Sequence, residues 1–182
     1  MKCFTLDSNC IIDLEESRSD AVHLEQLISL WRSGQVELAV VSVSASENQP
    51  AGEAARDYAE FESKLEQVGI LNARELAPVG IWDFGYWDHM LWSCEESEKQ
   101  VDEIKDILFP EVQHDPPEDP SENSKWRNQM CDVLVAWSHG FHKSDHLVTR
   151  DKNFHKKAQE LVNHGIDSIV TPEEAVLIAR DI

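Results

Sequence analysis

Met1-Lys2-Cys3-Phe4-Thr5-Leu6-Asp7-Ser8-Asn9-Cys10-Ile11-Ile12-Asp13-Leu14 opens the chain with a short apolar run that ends on Asp7 before a second apolar run resumes. A strand that delivers a carboxylate to its end suits an open α/β sheet, where ligands bind outside the carboxyl ends of parallel strands. The device returns at His146-Leu147-Val148-Thr149-Arg150-Asp151-Lys152-Asn153-Phe154, another apolar run ending on an acid. Two such acids imply a shared site.

Between these stretches, strand and helix signals alternate. Ser19 or Asp20 caps a helix whose apolar positions Leu24, Leu27, Ile28 and Trp31 follow helical spacing, with Gly34 as its stop. Val36 to Val43 reads as a buried strand, and Ser44-Ala45-Ser46-Glu47 as a capping box. The helix after it extends to about Val68, with Tyr58, Phe61 and Leu65 on its buried face, and Gly69 ends it before a short strand at Ile70-Leu71. Further on, Trp126, Met130, Val133, Leu134 and Trp137 form one helical stripe that stops at Gly140. A strand at Leu147 to Thr149, a helix carrying Phe154, Ala158 and Leu161, and a strand from Ile166 to Val170 follow. Thr171-Pro172-Glu173-Glu174 then supplies a cap, a first-turn proline and first-turn acids for a last helix. Strands alternating with helices predict an α/β fold with a mostly parallel sheet.

The segment from about 77 to 121 is less regular and reads as an aromatic and acidic insertion. It holds Trp82, Phe84, Tyr86, Trp87 and Trp92, a charged helix with Val101, Ile104 and Leu108 on one face, and the loop Asp115-Pro116-Pro117-Glu118-Asp119-Pro120.

Length and charge set bounds. With 182 residues and 41% hydrophobic residues the chain has material for one core, so residues 1–182 are read as a single domain. The formal net charge of -19, from 16 Lys and Arg against 35 Asp and Glu, excludes a broad basic surface of the kind that grips nucleic acid by counterion release. Four cysteines without paired spacing suggest reduced thiols and a cytoplasmic protein. No stretch approaches the roughly 18 apolar residues of a membrane span.

Four acids are candidates for chemistry. Asp7 ends a strand, Glu47 sits at a strand-to-helix junction, and Asp151 follows the late strand. Asp132 lies well off the Trp126, Met130, Val133 and Trp137 stripe at about 100° per residue. Each also has an ordinary structural explanation: a turn, a capping box, a helix cap or a solvated helix face. Convergence at one sheet edge is what those explanations do not require. Converged carboxylates about 4 Å apart repel by about 4 kcal/mol per pair at an effective dielectric near 20, so the cluster calls for a divalent cation or for protonation. Hard oxygen ligands suit Mg²⁺ or Mn²⁺.

The Phe4 to Leu14 stretch, the Glu47 junction, Asp132 followed by Val135 and Ala136, and the Leu147 to Phe154 stretch together resemble the PIN domain family, which includes bacterial toxin ribonucleases of the VapC type. The resemblance covers both ends of the chain and leaves the 77–121 segment without a counterpart. It implies a three-layer α/β/α fold and a metal-dependent endoribonuclease with Asp7 as central Mg²⁺ or Mn²⁺ ligand. Asp132 and Asp151 would complete the metal site, Glu47 would act directly or through water, and Asn9 and Thr149 would support it. It also implies an RNA substrate, an antitoxin partner and a homodimer. Arg150 and Lys152, with Lys125, Arg127, Lys143, Lys156 and Lys157 near them in sequence, are candidates for local contact with RNA.

Two rivals stand beside this reading. A phosphotransfer enzyme of the haloacid dehalogenase type also places an Asp after the first strand, but that family expects a second Asp two residues on, where this chain has Asn9. The other is a non-catalytic PIN-like module whose negative charge engages a basic protein. His139, His142, His146 and His155 read as solvated loop histidines rather than a zinc site. The Trp82 to Trp87 cluster reads as core or lid packing.

Overall fold

The structure is a computed structural model that describes residues 1–46, 58–81, 87–113 and 115–181. Five strands form one sheet: β1 (Cys3–Leu6), β2 (Glu37–Val41), β3 (Arg74–Leu76), β4 (His146–Val148) and β5 (Ile169–Val170). Their order is β3-β2-β1-β4-β5 and every pairing is parallel. The described helices are α1 (Ser8–Glu15), α2 (Ala21–Arg32), α3 (Tyr58–Gln67), α4 (Glu95–Leu108), α5 (Pro120–Phe141), α6 (Lys152–Leu161) and α7 (Pro172–Arg180).

Strand alternation sorts the side chains into two cores. Phe4, Leu6, Leu38, Val40 and Val148 project to one face, where they pack with Leu24, Leu27 and Ile28 of α2, Phe61 and Leu65 of α3, and Ala175 and Val176 of α7. Cys3, Ala39, Val41 and Leu147 project to the other, against Val101 and Ile104 of α4, the buried stripe of α5 and Phe154 of α6. Helices on both faces of a parallel sheet make three layers, α/β/α, as expected. The segment from 77 to 121 is part of this architecture, since Val79, Val101, Ile104 and Leu108 lie in the second core.

Two local expectations are corrected, and one apolar run left without an assigned element finds its place. The second apolar run, Cys10-Ile11-Ile12, is helical: the Asp7 carboxylate accepts from Ser8 N and starts α1 directly after β1. The strand expected at Ile70-Leu71 is instead β3 at Arg74–Leu76. Gly69, at φ 77°, ends α3 in a Schellman arrangement in which Ile70 N donates to Leu65 O and Gly69 N to Glu66 O. Ile70 is apolar because it closes that motif, fully buried.

Gly140 is not a helix stop either, because α5 runs on to Phe141 and the left-handed residue is Lys143, at φ 54°. A Cβ on Gly140 would lie 2.1 Å from the backbone oxygen of His164. The glycine is there to let two backbones touch.

The histidines are bonded rather than solvated. His139 is fully buried on α5 and shares a hydrogen bond between Nδ1 and Thr5 Oγ1 (3.0 Å). His142 Nε2 donates to Ala77 O and His155 Nε2 to Thr149 O. His146 stacks on Phe4 and bonds Ser168 Oγ through Nδ1. Cys3, Cys10, Cys94 and Cys131 are all free thiols, three of them buried. Among the described residues, no helix is long and apolar enough to cross a membrane.

Candidate metal site at the carboxyl edge of the sheet

The chain runs outward from β1 through β2 to β3, then returns to place β4 on the opposite side of β1. That reversal is the topological switch point, and it opens a crevice at the carboxyl ends of β1 and β4. Asp7 follows β1, and Thr149 to Asp151 follow β4. Parity decides which way the first of these faces. Asp7 continues the alternation of Cys3 and Thr5, and Thr149 that of Leu147, so both belong on the α4–α5–α6 side.

Asp7 is fully buried. Its Oδ1 accepts from Ser8 N (2.8 Å) and Ser8 Oγ (3.2 Å), and its Oδ2 from Thr149 Oγ1 (2.6 Å) and Asn9 Nδ2. Asn9 Nδ2 also reaches Thr149 Oγ1 at 3.0 Å, which closes a triangle of the three side chains. Burial pushes the Asp7 carboxyl above its usual range, against these hydrogen bonds, and the nearby Asp151 charge pushes the same way. Asp151 caps α6 through Oδ1, which accepts from Asn153 N at 2.7 Å, and its own N–H donates to Thr149 Oγ1 at 3.0 Å. The ordinary role and the candidate role therefore coexist at Asp151.

Asp132 is half-buried within an otherwise buried stretch of α5. Seven residues separate it from His139, so at about 100° per residue it sits about 20° from the face that His139 turns to Thr5, about 10 Å further along the helix. From Thr5, Asp7 lies two residues further along β1, about 6.6 Å. Since Cys131 Sγ meets Val43 O just past the end of β2, this turn of α5 stands over the carboxyl edge. Asp132 is on the sheet-facing side of α5 and not on an outer face.

The described residues contain no group of three or more His, Cys, Asp or Glu close enough together to hold one ion. Glu47 lies outside the described residues, as do Trp82, Phe84 and Tyr86. The donor types fit Mg²⁺ or Mn²⁺, but a carboxylate has about four acceptor positions and protein donors occupy four on Asp7. Cation binding there requires a donor to turn away. The Ser8 hydroxyl makes the longest of the four contacts and is the donor whose turning breaks the least.

One participant was missed. Asp13, one turn and a half along α1 from Asp7, is 1% exposed and forms ion pairs with Arg150 Nε (2.9 Å) and Arg18 Nη1 (3.5 Å). The Arg150 contact is purely ionic, for Asp13 Oδ2 accepts no hydrogen bond. An acid inside the apolar run Ile11-Ile12-Asp13-Leu14 was the available signal. Arg150, a candidate for RNA contact, is thus tethered beside the crevice, while Lys152 is exposed at the first position of α6. Lys157 of the same group pairs with Glu160 at 3.0 Å.

These features define a class: an α/β protein with paired carboxylates at the switch point of a parallel sheet. Compared with known proteins, the chain matches no family model and no curated protein.

Proposed function

We propose that the protein is a PIN-like, metal-dependent endoribonuclease acting at the crevice between the ends of β1 and β4. The observation that carries this reading is Asp7: a fully buried carboxylate at the switch point, oriented through both oxygens by Ser8, Asn9 and Thr149. Burying a carboxylate is costly, and nothing in the packing of a core demands it. A site that gathers negative charge there stores binding energy for a cation.

Asp7, Asp151 and Asp132, with Glu47, would hold Mg²⁺ or Mn²⁺. The bound ion would supply hydroxide from water at neutral pH and stabilise charge on the scissile phosphate. The chain's own groups have defined work. Thr149 and Asn9 fix the Asp7 oxygens, Thr149 also fixes Asp151 through its N–H, and Asp13 holds the Arg150 guanidinium beside the crevice, where a phosphate would approach. Arg150 supplies local positive charge that the whole chain lacks. In this reading the protein works in the reducing cytoplasm on an RNA substrate, and an antitoxin and a second copy of the chain are its partners.

The acidic binding module remains a second reading, favoured by the four donors that already satisfy Asp7 and by the wider spacing of the described acids. One experiment separates them. Labelled single-stranded and structured RNAs are incubated with the protein in Mn²⁺ or EDTA, beside Asp7→Asn. Cleavage in Mn²⁺ alone, reduced by about 10²-fold or more in Asp7→Asn, is the expected result. No cleavage, or cleavage indifferent to Asp7→Asn, refutes the nuclease, and a calorimetric Mn²⁺ titration then shows whether the edge binds cations at all.

A further inference from the structure

A second concavity lies away from this crevice. Leu91 N donates to Pro78 O and Gly80 N to Leu91 O, so the chain after β3 and the chain before α4 run side by side as one short wall. Opposite stand Val101 of α4 and Trp126 and Met130 of α5, and between the two is a cavity of about 530 Å³. Trp126 is fixed by donating Nε1–H to Gln113 O at 2.9 Å, and Met130 is 5% exposed, so this wall is preformed. Met130 and Asp132 differ by two residues, about 200° around α5, which puts the cavity and the Asp7 crevice on opposite sides of that helix.

Two properties of the mouth specify an occupant. First, Trp92 stands at the mouth with 90% of its surface in water, the most exposed large apolar side chain among the described residues. A small molecule inside the cavity would leave that indole wet, whereas a polypeptide lying across the mouth would fill the cavity and cover Trp92 together. Second, the carboxylates of Glu98, Asp102 and Asp115 line the cavity, while Lys105, the one lining cation among the described residues, is 3% exposed. The Lys105 ammonium is engaged by Val112 O (3.0 Å) and Asp106 (2.7 Å), so this charge is turned away from a ligand. An apolar floor with a negative rim rejects nucleotides and acidic peptides and complements apolar side chains flanked by Lys or Arg.

We propose that this cavity docks a cationic amphipathic segment of a partner protein, with its apolar side chains against Trp126 and Met130, its backbone over Trp92, and its basic side chains against Glu98, Asp102 and Asp115. The interaction depends on neither reading of Asp7.

The test uses the full chain and three synthetic peptides of equal length. One alternates Leu and Lys with helical amphipathic spacing, one carries Glu in place of every Lys, and one carries Ser in place of every Leu. Binding is measured by fluorescence anisotropy at 0.15 M salt. The Leu–Lys peptide is expected to bind at least about tenfold more tightly than either control, and to lose about tenfold or more with Trp92→Ala and with the Glu98→Lys, Asp102→Lys pair. Those three positions are exposed, so folding is kept. If the Ser–Lys peptide binds equally well, the contact is only that of a cation with a protein of charge -19, and the proposal falls. Binding unchanged by either variant also overturns it.

Discussion

Asp7 sets the sign of a stability test at the residue scale. Its carboxyl is raised above the usual range by burial, so the folded state holds a proton more tightly than the unfolded chain does. The folded state is therefore favoured below the ordinary carboxylate range and loses stability as pH rises through the interval up to the raised value. Above that raised value the metal-free protein bears the cost in full. Asp7→Asn removes the charge and keeps the shape, and the Asn9 amide can flip so that its oxygen accepts from the new amide. In EDTA the variant is expected to melt above the parent, by about 2–4 °C for about 1 kcal/mol. Adding Mn²⁺ should raise the melting temperature of the parent and leave the variant unmoved. A parent that is more stable than Asp7→Asn in EDTA contradicts the account of a charge buried at a cost.

At the scale of elements, α5 joins the second core to the crevice, and its end is set by close packing. Gly140 touches His164 and Gly165 so closely that a methyl group would fall 2.1 Å from a backbone oxygen, which cannot swing aside as a side chain would. Gly140→Ala is expected to cost about 1–3 kcal/mol, read as a lower urea midpoint with an unchanged slope. Helix propensity alone predicts the opposite sign at a position inside α5 with no positive φ, because alanine favours helix by about 1 kcal/mol over glycine.

The same position shows what the sequence made legible. Periodicity placed α2, α4, α5, α6 and α7 because each buries an apolar stripe, and Thr171 and Asp151 marked two helix starts with side chains that do cap them. It misplaced β3 because Arg74-Glu75-Leu76 is a short edge strand with two exposed residues, while the apolar Ile70 belongs to a helix end. Of the candidate site, Asp7 and Asp151 were readable from strand ends, while Asn9 and Thr149 followed only from the family resemblance; Asp7, Asn9 and Thr149 share side-chain hydrogen bonds, and the Asp151 N–H donates to Thr149 Oγ1. Asp13 was not, since its partner Arg150 is 137 positions away and only the β1–β4 pairing brings them together.

At the scale of the whole molecule, the net charge of -19 acts on every element at once. Like charges distributed over one small surface favour the expanded state, and salt weakens that repulsion by shortening the Debye length from about 30 Å at 0.01 M to about 8 Å at 0.15 M. At pH 7 the melting temperature in EDTA should therefore rise with NaCl over this range, by about 2–4 °C for about 1 kcal/mol. Lowering the pH to the isoelectric point, near 4.6, should abolish the salt dependence. Absolute stability is a poor readout there, because His139 is buried and its pKa is lowered to about 4. The unfolded chain protonates this histidine near 6.5 while the folded state keeps it neutral, so its contribution, up to roughly 3 kcal/mol, is present above pH 6.5 and is lost as pH falls toward 4. That loss involves a desolvated ring and responds little to salt. The slope of melting temperature against ionic strength, measured at pH 7 and again at 4.6, separates the two effects. An equal slope at both values would mean that surface repulsion is not what salt relieves, and a slope carried by Mg²⁺ but absent with NaCl would place the excess charge at the Asp7 edge rather than over the surface.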